Sequence, residues 1–276
     1  MMIHDGHVHT PFCPHGSKDS FIKYCETAIS HKLTGITFAE HAPLPRSFVD
    51  PTPLQDSGMS WDDLYTYLKE VRALKKEYKG HLNIYVGLEV DYIEGFEKET
   101  TDFLNEIGPS LDDSILSVHF LKLGTEYVCI DYSPDVFHYA CNQLGSTEAV
   151  YELYYQTVLK SVKSNLGHYK PNRIGHMTLV RKFQKKFPID RSFQTETSSI
   201  LAEIKKKGYE LDYNGAGYIK PLCREPYPYD SIIEETIKRN IPLVYGSDAH
   251  QASSLLNGYT ELHPKSILAK PNPLRD

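Results

Sequence analysis

The sequence predicts an α/β protein built as a distorted (β/α)7 TIM-like barrel. Three observations carry this. Short apolar runs alternate with longer amphipathic stretches along the whole chain, the pattern of a parallel sheet covered by helices. About seven such units are spread evenly over 276 residues, a length common for one α/β barrel. Residues capable of chemistry recur at the end of one apolar run after another, where barrels of this kind keep their active sites.

Each element has its own signal. Residues 2–8 (MIHDGHV) form the first predicted strand, followed by a helix over 20–31 with apolar residues at helical spacing. Residues 34–39 (TGITFA) form the second strand. The helix over 61–78 sets Leu64, Leu68, Val71 and Leu74 on one face. A third strand at 83–90 (NIYVGLEV) precedes a helix at 97–107, and the fourth strand is 114–120 (SILSVHF). A long helix over 147–166 opens on Ser146-Thr147-Glu148, a capping sequence. Strands at 173–177, 209–213 (YELDY) and 242–246 (PLVYG) are separated by helices at 195–207 and 230–239. One domain is expected over 1–276. The tail beyond about 264 carries Pro271 and Pro273 and is expected to be loose. An open doubly wound sheet is the alternative, but no GxGxxG or GxxxxGK[ST] follows the first strand.

Composition narrows the function classes. Hydrophobic residues make up 40% and charged residues 24%, which excludes collagen, coiled coil and wholesale disorder. The apolar runs are too short for a membrane-spanning helix. The opening residues lack a basic segment followed by an apolar stretch, so no signal peptide is expected. Five scattered cysteines with no CxxC pair argue against zinc-ribbon and thioredoxin-type sites and for a reduced, cytoplasmic setting. A net charge of −6 argues against a nucleic-acid partner.

The chain holds 13 histidines, and their placement is the main functional signal. The first strand ends in Asp5-Gly6-His7-Val8-His9. Residues two apart on a strand share a face, so His7 and His9 are set to bind one metal together. The next strands end in Glu40-His41, Glu89-Val90-Asp91, His119 and His176, and the last ends in Asp248-Ala249-His250. His15 lies in a proline-rich loop beside the HxH pair and joins the candidates. His4, His31, His81, His138, His168 and His263 lack this placement and are read as structural or solvated. Cys13 and Cys25 are soft-ligand alternatives with nothing to pair them.

This set resembles the polymerase and histidinol phosphatase (PHP) superfamily, whose pattern is HxH, a lone His, a Glu, a His and a terminal DxH on successive strands. The resemblance runs from residue 5 to residue 250. It is closer still to the monofunctional L-histidinol-phosphate phosphatase branch, through Asp5-Gly6-His7-Val8-His9-Thr10, Cys13-Pro14-His15-Gly16, Glu40-His41-Ala42-Pro43, and Gly175-His176-Met177-Thr178-Leu179-Val180-Arg181. The 56 residues separating His119 from His176 match that branch's long helical insertion. One departure is Asp212-Tyr213-Asn214, where the branch implies Glu-x-Asn.

The resemblance implies the PHP fold and a centre of three divalent ions (zinc, manganese or iron). One ion would take His7, His9, Glu89 and Asp248, a second His15, His41 and His250, and a third Glu89, His119 and His176, with Glu89 bridging. Imidazole-rich sites with carboxylates suit zinc or iron over magnesium or calcium. The implied activity is hydrolysis of L-histidinol phosphate to L-histidinol and phosphate, in histidine biosynthesis, by a metal-activated hydroxide. Glu89, Asp248 and His250 are the catalytic candidates, the last two as managers of the water proton. Arg181 and Arg224 are the expected phosphate clamps, because an arginine fork is bidentate and always charged, with Lys182 and Lys220 as further candidates. Glu40, Asp91 and Asn214 are set to orient histidines or to read the substrate amine. The expected partner is this small phosphorylated substrate, with no nucleic acid and no membrane. The alternatives are a PHP phosphoesterase of other specificity (phosphotyrosine, nucleotide or nuclease type) and a non-catalytic metal-binding module. The complete ligand set weighs against the last.

Overall fold

In the computed structural model, which describes residues 3–264 and 267–274, all seven expected strands are present. β1 (His4–Val8) is followed by α1 (Phe21–Ser30), β2 (Gly35–His41) by α2 (Trp61–Glu77), and β3 (Asn83–Asp91) by α3 (Glu97–Ile107). β4 (Ile115–Ser117) leads into a hairpin of β5 (Phe120–Leu123) and β6 (Glu126–Cys129), then α4 (Pro134–Leu144) and α5 (Thr147–Lys163). The rest are β7 (Arg173–Ile174), α6 (Gln194–Lys207), β8 (Glu210–Asn214), α7 (Ala216–Ile219), α8 (Asp230–Lys238), β9 (Leu243–Gly246) and β10 (Leu268–Ala269). The main sheet runs β1-β2-β3-β4-β7-β8-β9-β10, all parallel. It closes on itself where Asp248 N–H donates to His7 O (2.8 Å) and His9 N–H donates to Ala249 O (3.0 Å). The wall is therefore the expected barrel, and its seam joins the two sequence motifs richest in ligand candidates.

Local chemistry explains the helices. Ser20, Ser60, Ser133 and Ser146 each accept a backbone N–H at the first turn of α1, α2, α4 and α5, satisfying a donor the helix leaves open. The buried face of α2 is Leu64, Tyr67, Leu68, Val71 and Leu74, the spacing of an amphipathic helix. α4 is an addition to the expected elements. Its signals are present in the sequence: a serine cap, Pro134 in the first turn and Gly145 as a left-handed stop (φ 89°).

Three expectations are corrected. The segment 114–120 is divided: Ile115–Ser117 pairs with β3, while Phe120 begins an antiparallel hairpin, so the insertion is a hairpin plus two helices rather than helical throughout. The described part of the tail, 267–274, is not loose. Leu268 and Ala269 pair with Leu243 and Val244, and Leu274 N–H donates to Asp112 O at 2.9 Å. Lys265, Ser266, Arg275 and Asp276 lie outside the described residues. The sheet accordingly gains a short eighth strand.

Beneath the histidines, the strand starts fill the barrel with polar groups. Arg173 is wholly buried and donates from Nη2 to Gly6 O (2.9 Å) and to Asp113 Oδ2 (2.6 Å). Thr37 donates to the same carboxylate oxygen at 2.8 Å and accepts from His4 Nε2 at 3.0 Å. A methyl group on Gly6 would sit 2.2 Å from Arg173 Nη1, so glycine is required where this guanidinium crosses the barrel.

Glu210 lies buried near this layer, where burial raises its pKa to about 7 against the attraction of Arg173 and the Asn272 N–H. Its folded value exceeds its unfolded one, so the folded state holds the proton more tightly and stability falls as pH rises from about 4.5 to about 7. Glu210→Gln removes this loss. Urea unfolding at pH 5 and pH 8 should show the variant gaining on wild type by up to about 3 kcal/mol at the higher pH. A stability difference that is the same at both pH values would overturn this account.

Candidate metal centre

The register of the barrel delivers the histidines to one point. β2 and β3 pair so that His41 lies beside Glu89, and β3 and β4 pair Asp91 with Ser117, two residues before His119. The β1/β9 seam sets His7 and His9 against Asp248 and His250. Asp248 takes a positive φ of 52° as the chain turns off β9, a conformation aspartate tolerates better than most residues.

Glu89 is the hub. It is 1% exposed, and its two oxygens face different imidazoles. Oε2 lies 3.3 Å from His7 Nε2, 3.6 Å from His9 Nε2 and 3.1 Å from His41 Nδ1. Oε1 lies 2.9 Å from His176 Nε2 and 3.8 Å from His119 Nε2, and accepts the Ser117 hydroxyl at 2.6 Å. Burial alone would raise its pKa, but His7, His41, His119 and His176 hold it well below the usual carboxylate range. Asp248 is likewise held far down by His7, His9 and His250, against burial. Against the same opposing burial, His9 rises to about 9 through Asp248 and Glu40, and His119 to about 10 through Asp91 and Glu89. His250 is pushed well down by burial and by the neighbouring His9.

The far side of several rings is fixed by a carboxylate. His7 Nδ1 meets Asp212 Oδ2 at 2.9 Å, His9 Nδ1 meets Glu40 Oε1 at 3.1 Å, and His119 Nδ1 meets Asp91 Oδ1 at 2.7 Å. Each leaves Nε2 aimed inward. His250 Nδ1 meets the Asp248 carbonyl at 3.0 Å, and His15 Nδ1 meets the Asp56 carbonyl at 2.8 Å. Carboxylates and carbonyls behind inward-facing imidazoles are the usual support of a metal site, fixing tautomer and raising basicity.

The donor set fits divalent ions of the zinc, manganese or iron kind. His7 Nε2 and His41 Nδ1 are buried ring nitrogens with no hydrogen-bond partner, and both face Glu89 Oε2. Ligand atoms come within 4.8 Å of one another in three groups: His7, His9 and Glu89; Glu89, His119 and His176; and His9, Cys13, His41 and His250. The last group differs from the expected His15, His41 and His250. Cys13, wholly buried, stands among these imidazoles. His15 is exposed, and its Nε2 lies 3.2 Å from His250 Nε2, so it still borders the cluster.

A cavity of about 570 Å³ opens above, lined by His15, His41, Glu89, His119, His176, Asp248 and His250, with Asp131, Lys182, Lys220 and Tyr227 among its walls. The substrate-side candidates fare differently. Arg181 and Arg224 are not among the lining residues. Arg181 pairs with Glu225 and its guanidinium lies 4.5 Å over the Tyr229 ring; Arg224 donates to Tyr218 O at 3.2 Å. Asn214 is buried and donates to Asp212 Oδ2 (3.1 Å) and Asp248 Oδ2 (3.3 Å), which braces two carboxylates and leaves it out of the cavity wall. Asp212 itself carries more than sequence reasoning gave it. Gly246 leaves room for it, since a methyl there would lie 2.3 Å from Asp212 Oδ1. Strand alternation was the available signal, because Asp212 and Asn214 share a face of β8.

Comparison with known proteins places this geometry. The chain matches the PHP domain over residues 5–216. It belongs to the PHP family. The histidinol-phosphatase of Bacillus subtilis is 50% identical over 261 residues, spanning 94% of this chain and 97% of that protein. The HisK crystal structure from Listeria monocytogenes superposes with a TM-score of 0.89 at 39% identity, covering 94% of this chain and 99% of that one. The histidinol phosphate phosphatase of Lactococcus lactis, crystallised with zinc, L-histidinol and phosphate, shares the fold at 22% identity, with a TM-score of 0.64 over 94% and 91% of the two chains. The PHP barrel is thus the fold of this protein.

Asp212→Asn tests the carboxylate support. It keeps the shape but loses the charge behind His7, and metal affinity measured by chelator competition should fall about 10- to 100-fold. Affinity equal to wild type would remove Asp212 from the site.

Proposed function

We propose that this chain is a metal-dependent phosphomonoesterase that hydrolyses L-histidinol phosphate to L-histidinol and phosphate, a step of histidine biosynthesis. The observation that carries the reading is the buried Glu89 carboxylate between two sets of inward-facing imidazoles at the floor of an open cavity. The Bacillus subtilis histidinol-phosphatase, at 50% identity over nearly the full length of both chains, supports the substrate.

The donor set would hold three divalent ions, of zinc, manganese or iron. His7, His9, Glu89 and Asp248 would hold one, His15, His41 and His250 a second with Cys13 beside it, and Glu89, His119 and His176 the third. Bound there, the ions supply Lewis-acid charge for the phosphoryl oxygens and lower the pKa of water. Glu89 ties two of the ligand sets together through its two oxygens. Asp248, with Oδ2 braced by Asn214 and Oδ1 turned to His9, stands at the cavity edge to take up the proton of the attacking water, and His250 beside it completes that path. Asp212, Glu40 and Asp91 keep three of the rings oriented.

The chain acts as one PHP unit over residues 1–276. Among the described residues no helix is long and apolar enough to cross a membrane. The five cysteines are free and buried, in keeping with a reduced, cytoplasmic setting. A nucleic-acid substrate is disfavoured by the net charge of −6 and by a cavity whose lining lysines are Lys182 and Lys220, with no arginine.

The deciding assay loads the purified protein with zinc, manganese or iron and compares histidinol phosphate, phosphotyrosine, nucleotides and short single-stranded DNA. Histidinol phosphate should give the highest kcat/KM, and a value no better than the others would sink the substrate assignment. Glu89→Gln should lose bound metal, counted by elemental analysis, together with nearly all activity. Full metal content with wild-type turnover would refute the shared carboxylate.

A further inference from the structure

Two neighbouring cations follow His176, and backbone geometry separates them. Residues Leu179–Phe183 form a 3-10 helix, in which side chains three apart eclipse one another. Leu179 and Lys182 therefore share a face, and both line the cavity above the histidines. Arg181, one third of a turn away, is committed elsewhere by Glu225 and Tyr229.

Lys182 is built into the wall. Its side chain is 22% exposed, and Nζ donates to Asp131 Oδ2 at 2.9 Å. Asp131 follows β6 in the insertion, lines the same cavity as His119 and His176, and accepts the Cys129 thiol on its other oxygen at 3.4 Å. Both carboxylate oxygens of Asp131 are thus engaged. An ammonium has three donors, so a lysine anchored through one of them keeps others for a ligand in the cavity. Lys220, also in the wall, is exposed.

We propose that Lys182 is the side chain that binds a phosphoryl oxygen of the substrate, and that Asp131 is the positioning residue that aims it. This rests on the phosphomonoesterase reading above and replaces Arg181 in the role expected from sequence. The choice follows from the phase of the 3-10 turn: a guanidinium is the better phosphate ligand in general, but this one faces the wrong way. Asp131 contributes by holding a flexible four-carbon side chain in the cavity before the anion arrives, which lowers the ordering cost of binding.

The test uses metal-loaded protein and inorganic phosphate as the probe, with calorimetric Kd and metal content measured together. Lys182→Gln should weaken phosphate binding about 10- to 100-fold, the scale of one charge-assisted hydrogen bond, with metal content unchanged. Lys182→Arg should restore most of it. Lys186→Gln, which removes an exposed cation from the same segment, should leave Kd unchanged. Asp131→Asn should raise KM for histidinol phosphate while kcat is kept, which a merely structural loss would not do. Phosphate binding by Lys182→Gln within about twofold of wild type at full metal content would overturn the inference. Its failure is separable from failure of the substrate reading. If wild type binds phosphate through Lys182 but ignores histidinol phosphate, the substrate falls and Lys182 stands. If wild type turns over histidinol phosphate and Lys182→Gln matches it in Kd and KM, Lys182 falls alone.

Discussion

A carboxylate buried to 1% exposure, as Glu89 is, must be compensated or the chain will not fold around it. Here the compensation is a shell of imidazoles, and the rest of the site exists to keep that shell in place. Three of the rings, His7, His9 and His119, pass the demand outward from their far-side nitrogens to Asp212, Glu40 and Asp91. These residues sit on β8, β2 and β3, and Asp212 needs Gly246 on β9 to make room. One buried charge thereby fixes side chains on most strands of the wall. Removing it would leave a cluster of largely buried imidazoles with their shared counter-charge gone.

The floor of the barrel obeys the same rule with opposite sign. Arg173 is a fully buried cation, answered by Asp113 and by the carbonyl of Gly6. Ordinary barrels fill this space with branched aliphatic side chains. A buried ion pair adds little net stability over such packing, but it is directional. The guanidinium reaches from β7 to the backbone of β1 just before His7, and so ties the first ligand strand to the opposite wall.

The histidine sites were readable in the sequence because strand alternation and strand ends are local properties. HxH and DxH declare a shared face within three residues, and Glu40 and Asp91 lie beside their histidines or one strand away. What was not readable depends on phase and on distance along the chain. Arg181 and Lys182 differ by one residue, and only the three-residue period of the turn after His176 decides which enters the cavity. Cys13 joins the imidazoles through the tertiary course of its loop, a placement no spacing rule supplies. The β5/β6 hairpin begins immediately after His119, where a continuing strand had the same apolar pattern. The tail reads as loose from its prolines, yet the start of β9 offers Leu268 and Ala269 an unpaired edge.

The seam between β1 and β9 has a kinetic consequence. It pairs residues some 240 positions apart in the chain, and contacts of such long sequence separation form late, because their loop-closure entropy must first be met by other structure. Until it closes, Asp248 and His250 are far from His7 and His9, and no partly folded chain presents the full ligand set. A zinc finger uses its ion to drive folding from the start. Here the ligand candidates come from both ends of the chain, so any ion that used the full set would have to bind a barrel whose seam is already closed.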